Sequence, residues 1–175
     1  MIDPALADSG NRGSTFALRP AVMDDAEAMA AVVRAAFEEH AGRLDPPSGA
    51  HAETAESLQA KLATGRATVA ILDDAIVGCV FEIPRGDHLY VSRLAVLPEV
   101  RHRKIGAALM HRAEEQARAL GLSRVELGVR IALPRLRAWY EGLGYRWVRS
   151  NAHAGFPRPT YDTLAKELGS RPSGA

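Results

Sequence analysis

The sequence predicts an α/β fold with a central mixed sheet, mostly antiparallel, that carries helices on both faces. First, a length of 175 residues is enough for one domain with a real hydrophobic core. Second, apolar periods of two and of three to four residues follow the order strand, two helices, three strands, helix, strand, helix, two strands. Third, the strand–helix–strand unit across residues 88–130 requires a parallel pair with a right-handed crossover.

The first half of the chain supplies a strand, two helices and a hairpin. STFALRP predicts a strand that stops at Pro20, followed by a helix that Asp24 caps and Glu27 completes as a capping box. An apolar stripe marks the buried face of this helix: Met23, Ala26, Met29, Ala30, Val33 and Phe37. The long loop EEHAGRLDPPSGAH breaks all pattern, as functional loops often do. AETAESLQAKLATG predicts a helix ending at Gly65, and ATVAILDDAIVGCVFEI predicts two strands around an Asp-Asp turn.

The second half supplies the crossover unit and a final hairpin. HLYVSRLAVL predicts a strand ending at Pro98, and KIGAALMHRAEEQARALG predicts the longest helix, which Gly121 ends. SRVELGVR alternates, with Val125, Leu127 and Val129 on one side of a strand. PRLRAWYEGLG predicts a short helix that starts near Pro134, and YRWVRS and TYDTLAKEL predict the last two strands.

The composition excludes several classes of protein. Lysine and arginine number 22 against 21 acidic residues, a balance that argues against a nucleic-acid-binding protein. The single cysteine, Cys79, cannot form an internal disulfide and suits a reducing compartment. No stretch approaches the roughly 20 apolar residues of a membrane span, and the first residues lack a signal-peptide pattern. We therefore expect a cytoplasmic protein that binds neither membranes nor nucleic acid.

Composition also predicts the domain boundaries. Residues 1–13 and 169–175 are rich in Gly, Ser and other small or polar residues without periodicity, so we expect a flexible tail at each end. Residues 14–168 are expected to form a single domain.

The stretch RLAVLPEVRHRKIGAALM carries the strongest chemical signal. An apolar strand runs into Pro98, then a basic loop, then a helix with small residues in its first turn. A helix start presents unpaired N–H groups and partial positive charge, which together favour a bound phosphate. The residues concerned are Arg101, His102, Arg103, Lys104, Gly106 and Ala107. Without further context, a solvated basic turn explains the same residues equally well.

Two motifs make this chain similar to a known family. Arg101, Lys104 and Gly106 occupy the Arg/Gln-x-x-Gly-x-Gly/Ala pattern of motif A in the GCN5-related N-acetyltransferases, the GNAT superfamily. Downstream, AWYEGLGY resembles the family's Tyr-Glu-x-x-Gly-Phe/Tyr signature at Tyr140 and Gly144. The motifs are separated by a helix and a strand, as in the family, and the resemblance covers roughly residues 15–168.

The chain departs from the family pattern at two positions. Lys104 replaces the first motif glycine; a side chain is costly there if the backbone has positive φ, and is tolerated if the residue is already helical. We favour the helical geometry, in which Lys104 keeps its N–H for an anion. Leu133 stands where the family often has an asparagine that contacts the cofactor or adjacent backbone.

The resemblance implies acetyl-CoA as co-substrate and a set of residues that bind it. The family's central strand separates from its neighbour and pairs with the pantetheine arm, so that an amide among these residues stabilises the oxyanion. Carried onto this chain, the cofactor-binding residues are Leu94, Ala95 and Val96 on the strand and Arg101, His102, Arg103, Lys104, Ile105, Gly106 and Ala107 in the loop and helix.

The resemblance also implies catalytic roles. The family transfers an acetyl group to an amine, and Tyr140 matches the tyrosine that protonates the leaving thiolate as general acid. The base is open: Glu82 and His88 are tentative candidates, Asp87 is another, and a chain of water molecules without a dedicated base is equally consistent. The histidines have no metal-ligand spacing, so no metal is expected.

The acceptor is expected to be a small-molecule amine. The family places its acceptor wall where RLDPPSGAH and NAHAGFPRPT lie here, and Glu38, Glu39 and Asp45 either attract a cationic amine or are solvated surface charges. Acetylation of a protein N-terminus or lysine is the alternative within the same class. A non-catalytic acyl-CoA-binding regulator is the alternative from another class. Dimers are common in the family, so a homodimer is a further expectation.

Overall fold

The computed structural model describes residues 15–169, which form a seven-stranded sheet covered by helices. The strands are β1 (Ala17–Pro20), β2 (Arg66–Leu72), β3 (Ala75–Arg85), β4 (His88–Val96), β5 (Arg124–Arg130), β6 (Arg146–Asn151) and β7 (Tyr161–Glu167). The helices are α1 (Ala26–Phe37), α2 (Ala55–Thr64), α3 (Ile105–Ala119) and α4 (Pro134–Gly142). The predicted tails, residues 1–13 and 169–175, lie outside the described residues except for Gly169.

The strand order confirms a mixed, mostly antiparallel sheet. It runs β1-β2-β3-β4-β5-β7-β6, and only β4 and β5 are parallel neighbours. The crossover through α3 joins these two strands, as the spacing of the apolar stretches predicts. β7 lies between β5 and β6 and pairs antiparallel with both.

Each face of the sheet has its own hydrophobic core. α1 and α2 cover one face, where Met29, Val33, Leu58 and Phe81 are fully buried. α3 and α4 cover the other face, and the buried side chains there include Leu109, Met110, Val125, Leu127 and Tyr145. The expectation of helices on both faces is confirmed.

Gly78 lets α3 approach the sheet closely. A Cβ at this position would lie 3.0 Å from the carbonyl oxygen of Ala95 and 3.3 Å from the side chain of Leu109. A side chain at Gly78 would therefore push α3 away from β3 and from β4, the strand that leads into its N-terminal loop.

The Asp-Asp turn is confirmed, and its conformation follows from the residue type. Asp73 and Asp74 join β2 to β3 with φ angles of 50° and 64°. Two consecutive residues with positive φ suit a tight hairpin, and aspartate tolerates the left-handed region better than most residues.

The predicted cap of the first helix is wrong. A short 3-10 turn covers Met23–Asp25, and α1 begins only at Ala26. The carboxylate of Asp25 accepts the N–H of Val22 at 2.8 Å and pairs with Arg19, whereas Asp24 caps nothing. Met23, assigned to the buried stripe, is 46% exposed because it precedes the helix proper.

The parallel pair β4–β5 opens partway along its length. Only His88–Val91 of β4 pair with β5, opposite Arg124–Leu127, and beyond Val91 the two strands separate. A bulge accompanies the separation, because Val80 of β3 lies opposite two residues of β4, Arg93 and Leu94, and Arg93 has a φ of 50°. Bulges of this kind bend a strand and often lie beside functional sites. The opening leaves one edge of β4 without a strand partner.

Candidate active site

Two cavities meet where β4 and β5 separate. The first, which we call the loop-side cavity, has a volume of about 380 Å³ and lies between the end of β4, the start of α3 and α4. The second, the sheet-side cavity, has a volume of about 620 Å³ and lies between β4, β5 and the loop segments 44–49 and 152–154. Phe37, Leu94 and Leu136 line both cavities, so the two adjoin at Leu94.

The open edge of β4 presents backbone hydrogen-bond donors to the junction. The N–H of Leu97 donates to the carbonyl oxygen of Val77, on the β3 side. Backbone groups alternate along a strand, so the N–H groups of Leu94 and Val96 point to the opposite, open side. Of the three strand residues that the resemblance implies, these two therefore have the direction needed for a ligand, while Ala95 faces β3.

The start of α3 forms a concavity with the geometry of an anion site. Ile105, Gly106 and Ala107 are the first residues of the helix, and their N–H groups have no intrahelical acceptor. They follow a 3-10 turn, Pro98–Arg103, and a single left-handed residue, Lys104. A right-handed to left-handed step of this kind aims successive N–H groups at one point, where an anion is stabilised.

The expected helical geometry of Lys104 is wrong. Its φ of 62° and ψ of 16° place it in the left-handed region that favours glycine, just before α3 begins. The structure therefore explains why the family motif has glycine here. Lys104 keeps its N–H in the concavity, although its side chain adds a conformational cost of about 1–2 kcal/mol.

Arg101 lines the loop-side cavity, but its guanidinium is already held by the protein. Nη2 donates to the carbonyl oxygen of Ala36 at 2.8 Å, Nε donates to that of Val96 at 3.3 Å, and Nη1 pairs with Glu39. The side chain thus satisfies the C-terminal end of α1 and joins that helix to β4. Its evident contribution is to fix one wall of the cavity.

The other predicted cofactor-binding residues divide into two groups. His102, Lys104, Gly106 and Ala107 line the loop-side cavity with Leu94, Ala95, Val96 and Arg101. Ile105 is fully buried in the α3 core and contributes only backbone, and Arg103 does not line the cavity. Trp139, which sequence analysis did not single out, covers the start of α3. Its ring atoms would lie 3.5 Å from a Cβ at Gly106.

Tyr140 lies at the junction, as its proposed role requires. It lines the sheet-side cavity beside Leu94 and is 6% exposed. Its ring packs edge-on against Trp139 and Tyr145, with centroid distances of 4.9 and 6.0 Å. Burial, and to a lesser extent Tyr90, raises the pKa of its hydroxyl well above the usual range. The phenol therefore stays protonated throughout the physiological pH range.

The two tentative bases lie outside the cavity that Tyr140 lines. Glu82 is buried on the α3 face of the sheet, where its carboxylate accepts a hydrogen bond from Thr68 at 2.9 Å. His88 lies at the closed end of the β4–β5 pair, with Nδ1 at 3.0 Å from Asp87 and Nε2 at 3.6 Å from Glu126. Neither Glu82, His88 nor Asp87 lines either cavity.

We expect Glu82→Gln to raise the thermal stability at pH 8. Burial raises the pKa of Glu82, only partly offset by Thr68 and by the charges of Arg112 and Arg66. A carboxyl whose pKa is higher in the folded state makes the protein less stable as the pH rises through that value. Glutamine keeps an acceptor for Thr68 without the buried charge. In thermal melts the gain in Tm should therefore shrink towards pH 4.

Glu99→Gln is the matched control, because Glu99 is exposed and its substitution removes the same charge without removing a buried one. A lower Tm for Glu82→Gln at pH 8 would contradict this account of the buried carboxyl.

The sheet-side cavity is bordered by the two segments that the resemblance implies. Leu44, Pro47, Ser48 and Gly49 come from the first segment, and Ala152, His153 and Ala154 come from the second. Leu133, at the position of the family's asparagine, also lines this cavity, and its N–H donates to the carbonyl oxygen of Arg130 at 2.9 Å. Glu38 and Asp45 are exposed and line neither cavity, whereas Glu39 lines only the loop-side cavity.

Sequence analysis did not assign five polar side chains to the sheet-side cavity: Tyr90, Ser92, Arg93, Arg130 and Tyr161. Alternation places Arg130 opposite the apolar face of β5, but a strand pattern does not tell a solvated arginine from one that faces a cavity. Arg93 is placed in the cavity wall by the bulge in β4, and no residue pattern in the sequence predicts that bulge.

Within residues 15–169, no group of three or more His, Cys, Asp or Glu side chains is arranged to hold a metal ion. In the same range, none of the helices is both long and apolar enough to cross a membrane.

The chain resembles known structures over most of its length. One is the PaiA N-acetyltransferase of Thermoplasma acidophilum in complex with coenzyme A, 18% identical over 88% of this chain and 99% of the other, with a TM-score of 0.73. Another is a GCN5-related N-acetyltransferase of Rhodopseudomonas palustris, 23% identical over 91% and 100% of the two chains, with a TM-score of 0.68. A nourseothricin acetyltransferase is 25% identical over 60% and 66%, with a TM-score of 0.55.

The family assignment comes from the sequence. No curated protein matches the chain. The model of the acetyltransferase (GNAT) family matches residues 33–145, which include the end of α1, the whole β4–α3–β5 unit and α4. This match spans more than half of the chain and contains both motifs at the cavities. The chain therefore belongs to the GNAT acetyltransferases, a family of transferases that use acetyl-CoA as co-substrate.

Proposed function

We propose that this protein transfers an acetyl group from acetyl-CoA to the primary amine of a small molecule, by direct attack in a ternary complex. One observation carries the proposal: the anion-binding start of α3 and the sheet-side cavity open onto the same stretch of β4, beside Tyr140. A cofactor held on one side and an acceptor on the other would meet there, which is the arrangement that direct transfer needs.

The cofactor would occupy the loop-side cavity. Its diphosphate would accept hydrogen bonds from the N–H groups of Lys104, Ile105, Gly106 and Ala107 at the start of α3. The pantetheine arm would pair with the open edge of β4. An extended chain can pair with such an exposed strand edge in the way that an additional strand does.

The acetyl group would then lie at the junction of the two cavities. The lone pair of a neutral amine attacks the thioester carbonyl, and the N–H of Leu94 or Val96 stabilises the tetrahedral oxyanion. Collapse of the intermediate breaks the C–S bond, and the Tyr140 hydroxyl donates its proton to the departing thiolate. No carboxylate of the described residues lines the sheet-side cavity, so the amine loses its proton to water, and the Tyr140 phenolate regains a proton from water before the next turnover.

The size of the sheet-side cavity supports a small acceptor. It is bounded by two loop segments and the sheet, and about 620 Å³ is typical of a site for a small molecule. The nourseothricin acetyltransferase, by its name, also acts on a small molecule. A protein N-terminus or lysine would have to enter the same cavity as a single side chain or terminus.

The test combines cofactor binding with thiol release. Calorimetry should detect binding of acetyl-CoA, and mixing acetyl-CoA with a panel of small amines should release free coenzyme A at a rate that depends on the amine. Thiol release with peptides alone would favour the protein acetyltransferase. Binding without thiol release for any amine or peptide would favour the non-catalytic regulator.

We expect Lys104→Gly to bind acetyl-CoA within a few-fold of wild type and to be as stable or more stable. Glycine removes the left-handed penalty, but it also loosens the unfolded chain, so the net gain in free energy of unfolding is at most about 1 kcal/mol. Calorimetric titration and thermal melts measure the two effects.

Lys104→Ala is the control, because it removes the ammonium and keeps the left-handed cost. A loss of more than about tenfold in affinity in both variants would show that the ammonium, rather than the backbone, makes the main contact at this position.

A further inference from the structure

The charges around the sheet-side cavity are unusual for a site that would receive a cationic amine. Arg93 and Arg130 line it, and none of its described lining residues is an aspartate or a glutamate. His153, the histidine of this lining, adds no negative charge, and burial together with the charge of Arg130 lowers its pKa. The wall therefore carries positive charge where the acceptor must bind.

Arg93 is committed to another partner. Its Nε donates to Glu53 at 2.7 Å, and Glu53 is 3% exposed and also accepts from Lys61 at 2.7 Å and from Ser57. Burial raises the pKa of Glu53, but the hydrogen bonds from Lys61, Ser57 and Arg93 together hold it below its usual value. The charge of Arg93 is therefore matched inside the protein, and the network holds the loop before α2 against β4.

Arg130 has no such partner among the described residues. Its Nη2 donates to the carbonyl oxygen of Pro46 at 2.7 Å, its Nε is buried without a hydrogen bond, and no carboxylate of the described residues forms a salt bridge with it. Asp45, next to Pro46, acts on it only through the longer-range field. A half-buried guanidinium with unused donors is costly unless a ligand supplies an acceptor.

From Arg130 and the absence of a lining carboxylate, we infer that the acceptor carries a carboxylate group in addition to its amine. The inference rests on the proposed function and narrows its substrate class to compact amino acids. A carboxylate beside Nη1 would make a charge-assisted hydrogen bond to the one arginine of the wall that lacks an ion pair. One uncompensated positive charge matches one negative charge, which favours a carboxylate over a phosphate dianion.

The remaining wall suits the rest of such a molecule. Tyr90, Tyr140 and Tyr161 line the cavity together with Leu127 and Val129. Gly128 leaves room for Tyr90, since a Cβ there would lie 3.3 Å from the tyrosine oxygen. Positive charge nearby also lowers the pKa of a bound ammonium, which raises the fraction of amine that can attack.

The test compares matched amines in the thiol-release assay with wild type, Arg130→Gln and Arg118→Gln. The panel contains the proteinogenic amino acids, their carboxamides, the decarboxylated amines, and ethanolamine with its phosphate ester. Arg118 is exposed on α3, so Arg118→Gln removes the same charge away from both cavities.

For wild type and Arg118→Gln, we expect the best amino acid to exceed its carboxamide and decarboxylated amine by about 10- to 100-fold in kcat/KM, mainly through KM. Arg130→Gln should remove this preference while the affinity for acetyl-CoA and the Tm stay near those of wild type. If Arg130→Gln does not fold, the wild-type comparison still decides the question.

Several results would overturn the inference. Equal or faster acetyl transfer to the decarboxylated amines by wild type would overturn the inference of an acceptor carboxylate. It would leave the proposed acetyltransferase activity supported. Preference for the phosphate ester, or a carboxylate preference that survives in folded Arg130→Gln, would also reject it. Absence of thiol release with every amine would reject the proposed function and, with it, the inference.

Discussion

Gly106→Glu is expected to abolish measurable binding of acetyl-CoA, with an affinity loss greater than about 100-fold. Gly106 is the second residue of α3, and its N–H is one of the donors left free at the helix start. A glutamate there would place a carboxylate where the diphosphate must lie, and Trp139, 3.5 Å from the Cβ position, would limit its escape. Steric exclusion and charge repulsion act in the same direction. Calorimetric titration with acetyl-CoA measures the loss.

The same substitution should leave the fold intact, which separates binding from stability. An acidic side chain in the first turn of a helix interacts favourably with the helix dipole, by about 0.3–1 kcal/mol. Gly142→Glu is the matched control, because a Cβ at Gly142 meets no atom within 4 Å and the residue lines neither cavity. Affinity of Gly106→Glu close to that of Gly142→Glu would mean that the phosphates bind elsewhere.

Local patterns in the sequence predict most of this fold. The alternation in SRVELGVR gives β5 with Val125, Leu127 and Val129 buried, because the period of two is a property of any half-buried strand. The Asp-Asp turn is predicted because few residues tolerate consecutive positive φ angles. The basic loop before α3 is recognisable because its residues are consecutive and lie next to an apolar helix.

The features that were missed depend on contacts between distant segments or on unusual backbone. Arg101 looks like a phosphate ligand in sequence, yet its partners at Ala36 and Glu39 lie more than sixty residues away. Arg93 and Lys104 adopt left-handed geometry, which no arginine or lysine indicates in advance. Arg130 could not be assigned to the acceptor site until the separation of β4 from β5 was known.

The two cavities impose different requirements on their residues. We propose that the loop-side cavity binds its ligand through backbone groups, so lysine in place of the motif glycine at position 104 is tolerated as long as its N–H stays in place. The sheet-side cavity is lined instead by side chains, among them Arg130 and three tyrosines, which we propose contact the acceptor. On this proposal, side-chain changes at the loop-side cavity leave cofactor binding intact, whereas changes at a few side chains of the sheet-side cavity alter the acceptor.

Tyr140→Phe is expected to lower kcat by about 100-fold or more while the affinity for acetyl-CoA stays unchanged. The substitution keeps the ring that packs against Trp139 and Tyr145 and removes only the hydroxyl that we propose protonates the leaving thiolate. The hydroxyl makes no hydrogen bond to the described residues, so its loss leaves no buried group unsatisfied there. Steady-state kinetics with a saturating acceptor, together with calorimetry, measures both quantities.

The pH dependence gives this prediction a second readout. Burial raises the pKa of Tyr140, so its proton is retained to a higher pH than in a free phenol. Wild-type kcat/KM should therefore rise with pH as the free amine loses its proton, without a descending limb from Tyr140 below about pH 10. The Phe variant should follow the same rise at a lower level, because the ascending limb belongs to the amine.

Tyr145→Phe is the matched control for loss of a buried phenol. Its hydroxyl donates to Glu114 in the α3 core, so its removal should cost about 1 kcal/mol of stability without changing kcat. If Tyr140→Phe instead behaved like Tyr145→Phe, with lower Tm and unchanged kcat at every pH, the thiolate would have to take its proton from water, and Tyr140 would serve only to pack the junction of the two cavities.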